Sequence, residues 1–228
     1  MELIQTAMTG SGLVYENGSF HQEQRTIAEE KVWKVFVNGR ELESFSSSPV
    51  QMAEAAYGYL RLHERIGTRE DVESLDIRPE RSEIHAQVLT PAAFTREKPG
   101  EQPLTPEEVF ALLAKLNEYR QAGVHSCALV QGDRFVCRND VSRGASVDKA
   151  AGACLLQGIS TKDSVLVFSG RIPLSVAQKA YSLGCRIIVA VSGPTDLACR
   201  FAAEKGITLV SSAGEGRFCV YTEPQRIQ

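Results

Sequence analysis

The segment AGVHSCALV, residues 122–130, sets a histidine, a serine and a cysteine at consecutive positions, His125, Ser126 and Cys127. Three chemistries suit such a trio: a zinc site, a Cys-His nucleophile pair, or one ionisable wall of a binding site. Zinc needs several Cys or His ligands at short spacing, but His21, His63 and His85 are dispersed and no Cys-x-x-Cys occurs. Deamination would need a Glu two positions after the first ligand and a later Pro-Cys-x-x-Cys. Cys127 stands where that Glu would be, so deamination is excluded on chemistry. On a strand His125 and Cys127 share a face, which leaves a pair geometrically possible. Val124, Ser126 and Ala128 would then form the other face, and a packed strand residue is the better reading of Cys127. His125, at the strand's start, is the group that could bind or move a proton near neutral pH.

Two later segments, VLVFSGRIP and IVAVSGPTD, repeat one pattern: an apolar strand, Ser-Gly, then a helix with Pro near its first turn. If the strands are parallel, both Ser-Gly turns lie at one sheet edge, where backbone N–H groups and helix N-termini can hold phosphate. Gly170 and Gly193 would allow close backbone approach, Ser169, Ser192 and Thr195 could donate, and Arg171 adds charge. A single Ser-Gly-Pro is more simply a turn and cap; two aligned copies point towards a ligand. NDVSRGASVDKAAG also runs from strand to helix and sets Arg143, Asp148 and Lys149 around a helix start, where the plainer alternative is an internal charge pair. SSAGEGRFCVYT is a glycine-rich turn into a last strand, with Arg217 at its mouth.

These residues need elements to position them. KVWKVFV, Asn-Gly and RELESF form a strand, a two-residue turn and a returning strand, so the chain opens with a hairpin. A helix follows over VQMAEAAYGYLRLHERI, started by Ser and Pro and stopped by Gly67, and then β-like runs VESLDI and EIHAQVL. TPAAFTREKPGEQP reads as a linker and sets the seam between residues 1–103 and 104–228. Thr105, Pro106 and Glu108 make a capping box for a helix with Val109, Phe110, Leu113 and Leu116 in a stripe, ended by Gly123. Strands VHSCALV and RFVCRN come next, and then helices alternate with apolar strands SVLVF, RIIVAV and ITLVS before a final RFCVYT. Such alternation predicts a largely parallel sheet covered on both faces, an α/β sandwich.

The 228 residues suffice for a main domain plus a smaller one, and 43% hydrophobic content is ordinary for a globular chain. A net charge of −3, from 25 basic and 28 acidic residues interspersed, excludes a general affinity for nucleic acid or anionic membrane. Any anion site is therefore local. Without a basic start followed by an apolar run, and without a stretch of transmembrane length, a cytoplasmic location is expected. The six cysteines mostly sit inside apolar runs and read as buried reduced thiols rather than disulfides or zinc ligands.

Several segments together resemble the FdhD family, the accessory proteins required for formate dehydrogenase activity. VNGRELESFSSSP followed by AEAAYGYL is similar to the family's VNG…TP and LALGFL region, AGVHSCAL to its GG-x-H-x-A-A-L, and DVSRGASVDK to its DVGRHNA-x-DK. SGR, QKA, VSGPTDLA, GITLV and GRFCVYT resemble its later segments in the correct order, over roughly residues 27 to 222.

The resemblance implies a three-layer α/β/α domain similar to cytidine deaminases, a smaller N-terminal β-rich α+β domain, and a homodimer. It implies that persulfide sulfur passes from a cysteine desulfurase, on a C-G-x-C-type loop, to bis-molybdopterin guanine dinucleotide before that cofactor enters formate dehydrogenase or a related molybdoenzyme. The cofactor's guanine nucleotide ends, for which GDP is an analogue, would bind His125, Arg143, Asp148, Lys149, Ser169, Gly170, Arg171, Ser192, Pro194 and Thr195. The glycine-rich turn would add Ser212, Ala213, Gly214, Glu215, Gly216 and Arg217. Three departures stand against the pattern: residues 90–103, where the loop should lie, hold no cysteine; Gly144-Ala145 replaces His-Asn; and Ser212 and Gly214 replace a phenylalanine and an arginine. The leading reading is an accessory protein that binds the cofactor and supports its sulfuration and insertion. Beside it stand a divergent member that binds a guanine nucleotide or the cofactor without sulfurtransferase activity, and one in which Cys127 replaces the loop cysteine.

Overall fold

The computed structural model describes residues 7–89, 103–212 and 214–228. Strands β1 (Ala7–Glu16) and β2 (Ser19–Ala28) form an antiparallel hairpin about Asn17 and Gly18, both at positive φ. The opening hairpin is therefore this one, ahead of the expected pair. Its strands carry Gly10 and Gly12 and leave Met8, Leu13, Tyr15, Phe20 and Ile27 exposed. Without a buried face, selection for alternation is weak and the sequence carries little pattern to read.

The second hairpin is as expected at its turn: β3 (Lys31–Val37) reverses at Asn38 (φ 50) and Gly39 (φ 77), setting Phe36 opposite Glu41. The returning strand is split into β4 (Arg40–Glu41) and β5 (Phe45–Ser47), the latter pairing Phe45 with Trp33. Helix α1 (Met52–Leu62) ends before Gly67 at His63, and Glu64 already has φ 56. Its N-cap, Gln51, gives no side-chain cap; Ser48, the serine before Pro49, is engaged elsewhere, as described below. Strand β6 (Val72–Arg78) pairs antiparallel with β7 (Glu83–Val88), which runs parallel to β3 with Ile84 beside Val35. Period-2 burial of Trp33, Val35 and Val37 meets Met52, Ala56, Tyr59 and Leu60 of α1 to form an N-terminal core.

The expected linker lies outside the described residues apart from Pro103. Helix α2 (Pro106–Tyr119) has the capping box its sequence announces: Thr105 Oγ1 accepts from Glu108 N at 3.2 Å, and Thr105 N donates to Glu108 Oε2 at 2.8 Å. Then come β8 (His125–Gln131), β9 (Arg134–Asp140), α3 (Arg143–Leu156), β10 (Val165–Ile172), α4 (Leu174–Ser182), β11 (Ile187–Pro194), α5 (Asp196–Lys205), β12 (Thr208–Ser212) and β13 (Phe218–Thr222). The sheet order is β13-β12-β11-β10-β8-β9. Only β10–β11 and β11–β12 are parallel; β8–β9, β8–β10 and β12–β13 are antiparallel, which corrects the largely parallel expectation. The short connections of β8 to β9 and of β12 to β13 leave room only for antiparallel returns. On one face Val109 and Leu116 of α2 pack on Ala128, Val167, Val189 and Val210. On the other, α3, α4 and α5 bury Val147, Ala177 and Ala198 against Leu166, Phe168 and Ile188. The result is a mixed α/β fold with five α-helices among the described residues, in which helices cover both faces of the six-stranded sheet.

The N-terminal core is held to this sheet by the crossing of α1 and α3. A Cβ on Gly58 would stand 1.7 Å from the Asp148 carbonyl oxygen, and one on Gly152 1.9 Å from that of Glu54, so the two backbones touch. Beside the crossing Arg138 grips Glu54 with two bonds, Nε to Oε2 at 2.5 Å and Nη2 to Oε1 at 2.7 Å. Among the described residues no helix is long and apolar enough to cross a membrane.

Candidate functional site

Parallel strands β10, β11 and β12 end at one edge of the sheet. Because β8 and β13 run the other way, they begin at that edge: Cys127 lies opposite Phe168, and Phe218 opposite Ser212. Strand β9 ends there, with Asp140 opposite His125. The topology thus brings His125, Arg143, the two Ser-Gly pairs, Ser212 and the turn at residues 214–217 to a single edge; Ala213 lies outside the described residues. The N-termini of α3, α4 and α5 open at the same edge, since each follows one of these strand ends.

The Ser-Gly pairs are not turns. Strand β10 continues through Ser169 and Gly170 to Ile172, with a bulge between Phe168 and Arg171, and β11 continues to Pro194. Each proline comes after its strand's Ser-Gly: Pro173 is the N-cap of α4, and Pro194 precedes Thr195, whose Oγ1 accepts from Ala198 N at 3.3 Å to cap α5. The bulge has a use. Ser169 Oγ accepts the Ser126 N–H at 2.8 Å, which stitches β8 to the bulged strand. A Cβ on Gly170 would lie 2.9 Å from Phe168 Cε1 and 3.4 Å from His125 Nδ1, so glycine lets the imidazole lie over the bulge, stacked on Phe168 at 6.3 Å.

The edge is cationic. Arg143, Arg171 and Arg217 are exposed, and none is ion-paired with a carboxylate among the described residues. Arg171 Nη1 donates to the Gly193 carbonyl at 3.5 Å. The turn before β13 closes with Arg217 N on the Gly214 carbonyl at 3.2 Å, with Gly214 and Gly216 at positive φ. Burial first, and then the Arg143 guanidinium, push the His125 pKa below 6.5, while Asp140 opposes them. The neutral imidazole can donate from one nitrogen and accept at the other. Three guanidiniums, three helix N-termini and such a histidine are suited to a phosphorylated ligand.

Two of the expected site residues are withdrawn from this edge by their neighbours. Lys149 is fully buried and spends its three donors on Asp140 Oδ2 at 2.5 Å and on the carbonyl and hydroxyl of Ser48, each at 3.1 Å. Asp148, 2% exposed, accepts from Lys179 Nζ at 2.6 Å; its pKa is raised by burial against the pull of Lys179. Cys127 is also fully buried, and desolvation holds its thiol well above the usual range, which excludes it as a reactive group.

The sequence reading missed Asp140, whose carboxylate organises this end of the sheet. Oδ2 accepts from Ser47 Oγ at 2.7 Å, Ser48 N at 3.2 Å, Ser48 Oγ at 2.9 Å and Lys149, while Oδ1 accepts from Ser142 N at 2.7 Å. Asp140 therefore ties the β5–α1 connection to the start of α3, one residue before Arg143. Only the Asp-x-Ser spacing ahead of a helix hints at this in the sequence. At the opposite edge of the sheet a cavity of about 820 Å³ is lined by Leu104, Glu108, Gln131, Lys162, Asp163 and Arg186, away from every predicted site residue.

The chain is similar to several known proteins. A curated sulfur carrier protein FdhD from Staphylococcus haemolyticus is 28% identical over 94% of each chain, and one from Bacillus subtilis is 27% identical over 94% of this chain and 95% of its own. A crystal structure from Desulfotalea psychrophila, of a candidate formate dehydrogenase accessory protein, shares the fold with a TM-score of 0.83 at 22% identity, over 97% of this chain and 99% of that one. The profile of the FdhD/NarQ family matches residues 89–228, more than half of the chain and the whole of the edge described above. The chain belongs to the FdhD/NarQ family.

Proposed function

We propose that this protein is a sulfur carrier that serves formate dehydrogenase or a related molybdoenzyme, and that it takes bis-molybdopterin guanine dinucleotide as cargo at the edge formed by β8, β10, β11 and β12. The observation that carries this reading is the convergence of Arg143, Arg171 and Arg217, without carboxylate partners among the described residues, on helix N-termini and on His125. Full-length similarity to curated sulfur carriers supports the accessory role.

The cargo's diphosphate would sit against the starts of α4 and α5, beside the His125 ring that lies over Gly170 and the Tyr221 hydroxyl that lies against Gly193. Arg143 and Arg171 would neutralise its charge, and His125 would act as a hydrogen-bonding wall. Lys149 and Asp148 support the edge from inside and do not touch the ligand. The sandwich would share the cytidine deaminase architecture without its chemistry, because Ser126 and Cys127 replace the residues that reaction needs.

A second reading is binding without sulfur transfer, and the absence of any cysteine from residues 90–103 favours it. Titration calorimetry with GDP tests the cargo site. Binding that is weakened in Arg171→Ala and Arg143→Ala supports it, and no binding removes it. Restored formate dehydrogenase activity in a host lacking its own family member separates the carrier from the mere binder.

A further inference from the structure

Each of the two Ser-Gly strand ends carries a ring against its glycine. His125, from β8, puts Nδ1 3.4 Å from where a Cβ on Gly170 would stand, and Tyr221, from β13, puts its hydroxyl 3.3 Å from where one on Gly193 would stand. The strands that supply the rings are the antiparallel ones on either side of β10, β11 and β12. Gly170 and Gly193 belong to neighbouring strands, which a sheet spaces about 4.8 Å apart. Two polar ring atoms are thus set against adjacent strand ends.

Tyr221 reaches its glycine through an irregularity of its own strand. Val210 pairs with Val220 and Leu209 with Thr222, so Tyr221 is the extra residue of a bulge, which re-aims a side chain. Phe218 and Val220 pack on the α2 face, so Cys219 and Tyr221 turn to the other, where both are exposed. The expectation of buried cysteines fails at Cys219 for this reason. From there Tyr221 crosses β12, where Ser211 Oγ donates to its Oη at 3.3 Å, and ends at Gly193. Ser211 is 1% exposed. Because Oη is the acceptor in that bond, the phenol keeps its own O–H to donate. The Gly193 carbonyl accepts from Arg171 Nη1 at 3.5 Å, so a guanidinium and a phenol hydroxyl converge on one glycine, two residues before the Thr195 cap of α5.

We propose that Tyr221 is a ligand-binding residue of this edge, whose hydroxyl donates to a phosphate oxygen beside Arg171 as the counterpart of His125 one strand away. The inference rests on the cargo-site reading above. A diphosphate has two phosphoryl groups: one meets His125 and the start of α4, and the other meets Tyr221, Arg171 and the start of α5. The phenol is neutral and adds direction rather than net charge. Its share of the affinity therefore persists in salt that screens the arginines.

Calorimetry of the full chain with GDP and with inorganic pyrophosphate tests this. Tyr221→Phe keeps the ring and removes the hydroxyl, and it should weaken both ligands roughly tenfold, by the same factor at low and high salt. Ser211→Ala removes the bond beneath the ring and keeps the hydroxyl, so it should weaken both ligands less. Wild-type affinity in Tyr221→Phe overturns the assignment and leaves the cargo site standing. Equal losses in Ser211→Ala and Tyr221→Phe also overturn it, since they reduce Tyr221 to a support of the strand end, and a loss confined to GDP does so by moving the hydroxyl to the nucleoside. A wild type that binds neither ligand removes the cargo site itself, and Tyr221 with it.

Discussion

Lys149 Nζ lies 2.5 Å from Asp140 Oδ2 with both side chains fully buried, and Asp140 also holds the N–H of Ser142 at the start of α3. Burial lowers the Lys149 pKa and Asp140 opposes that, so the pair is held as ions only because each has the other and the Ser47–Ser48 donors. Removing the ammonium strands a buried carboxylate. Lys149→Met should cost roughly 3–5 kcal/mol, measured by urea unfolding, and Lys149→Met with Asp140→Leu should recover part of that loss. Equal loss in the single and double variants would contradict a coupled pair.

The α1–α3 crossing offers a second test. Gly58→Ala puts a methyl group where the Asp148 carbonyl stands, and no rotamer relieves it. A loss of about 1–3 kcal/mol or more is expected, together with weaker protection of α3 amides from hydrogen exchange. Ala53, on the exposed side of α1, serves as control: Ala53→Gly should cost about 1 kcal/mol by helix propensity alone.

Both His63 and His125 have pKa values lowered below 6.5, in each case first by burial. A base whose folded pKa lies below its unfolded one binds its proton better when unfolded. Its contribution to stability is therefore complete above the unfolded value and is lost as pH falls through the folded one. The melting temperature should fall between about pH 7 and about pH 5, and His63→Gln should flatten that slope. An unchanged slope in His63→Gln with His125→Gln would exclude both histidines.

At the proposed cargo site the sign reverses. A bound phosphate favours imidazolium, so binding raises the His125 pKa, takes up a proton and strengthens as pH falls below the bound-state value. GDP calorimetry in buffers of different ionisation enthalpy should show proton uptake in the wild type and not in His125→Gln.

Arg171 and Arg143 should each contribute a charge-assisted bond to that ligand. Their alanine variants should lose roughly tenfold or more in GDP affinity with an unchanged melting temperature. Arg25→Ala, on the remote β1–β2 hairpin, should bind as the wild type does.

Much of this architecture was legible along the chain because it is locally encoded. The Thr105–Glu108 capping box, the Asn38-Gly39 turn and the repeated strand, Ser-Gly and helix pattern each depend on residues a few positions apart, and the ordered motifs sufficed for the family. Topology then carried His125, Arg143, Arg171 and Arg217 to one edge, as the parallel-strand reading requires.

What the sequence alone did not decide is the fate of residues set by distant partners. Asp148 and Lys149 are adjacent, charged and near a helix start, which locally suggests a ligand site. Ser48 and Asp140 claim one, and Lys179 claims the other. Likewise the cysteines, most of them in apolar runs, look alike until β13 takes the edge of the sheet and turns Cys219 outward. Periodicity and capping are near-neighbour properties written into the chain. Burial, charge pairing and thiol exposure depend on contacts between segments many residues apart, and only the assembled sheet and the crossing of α1 with α3 determine them.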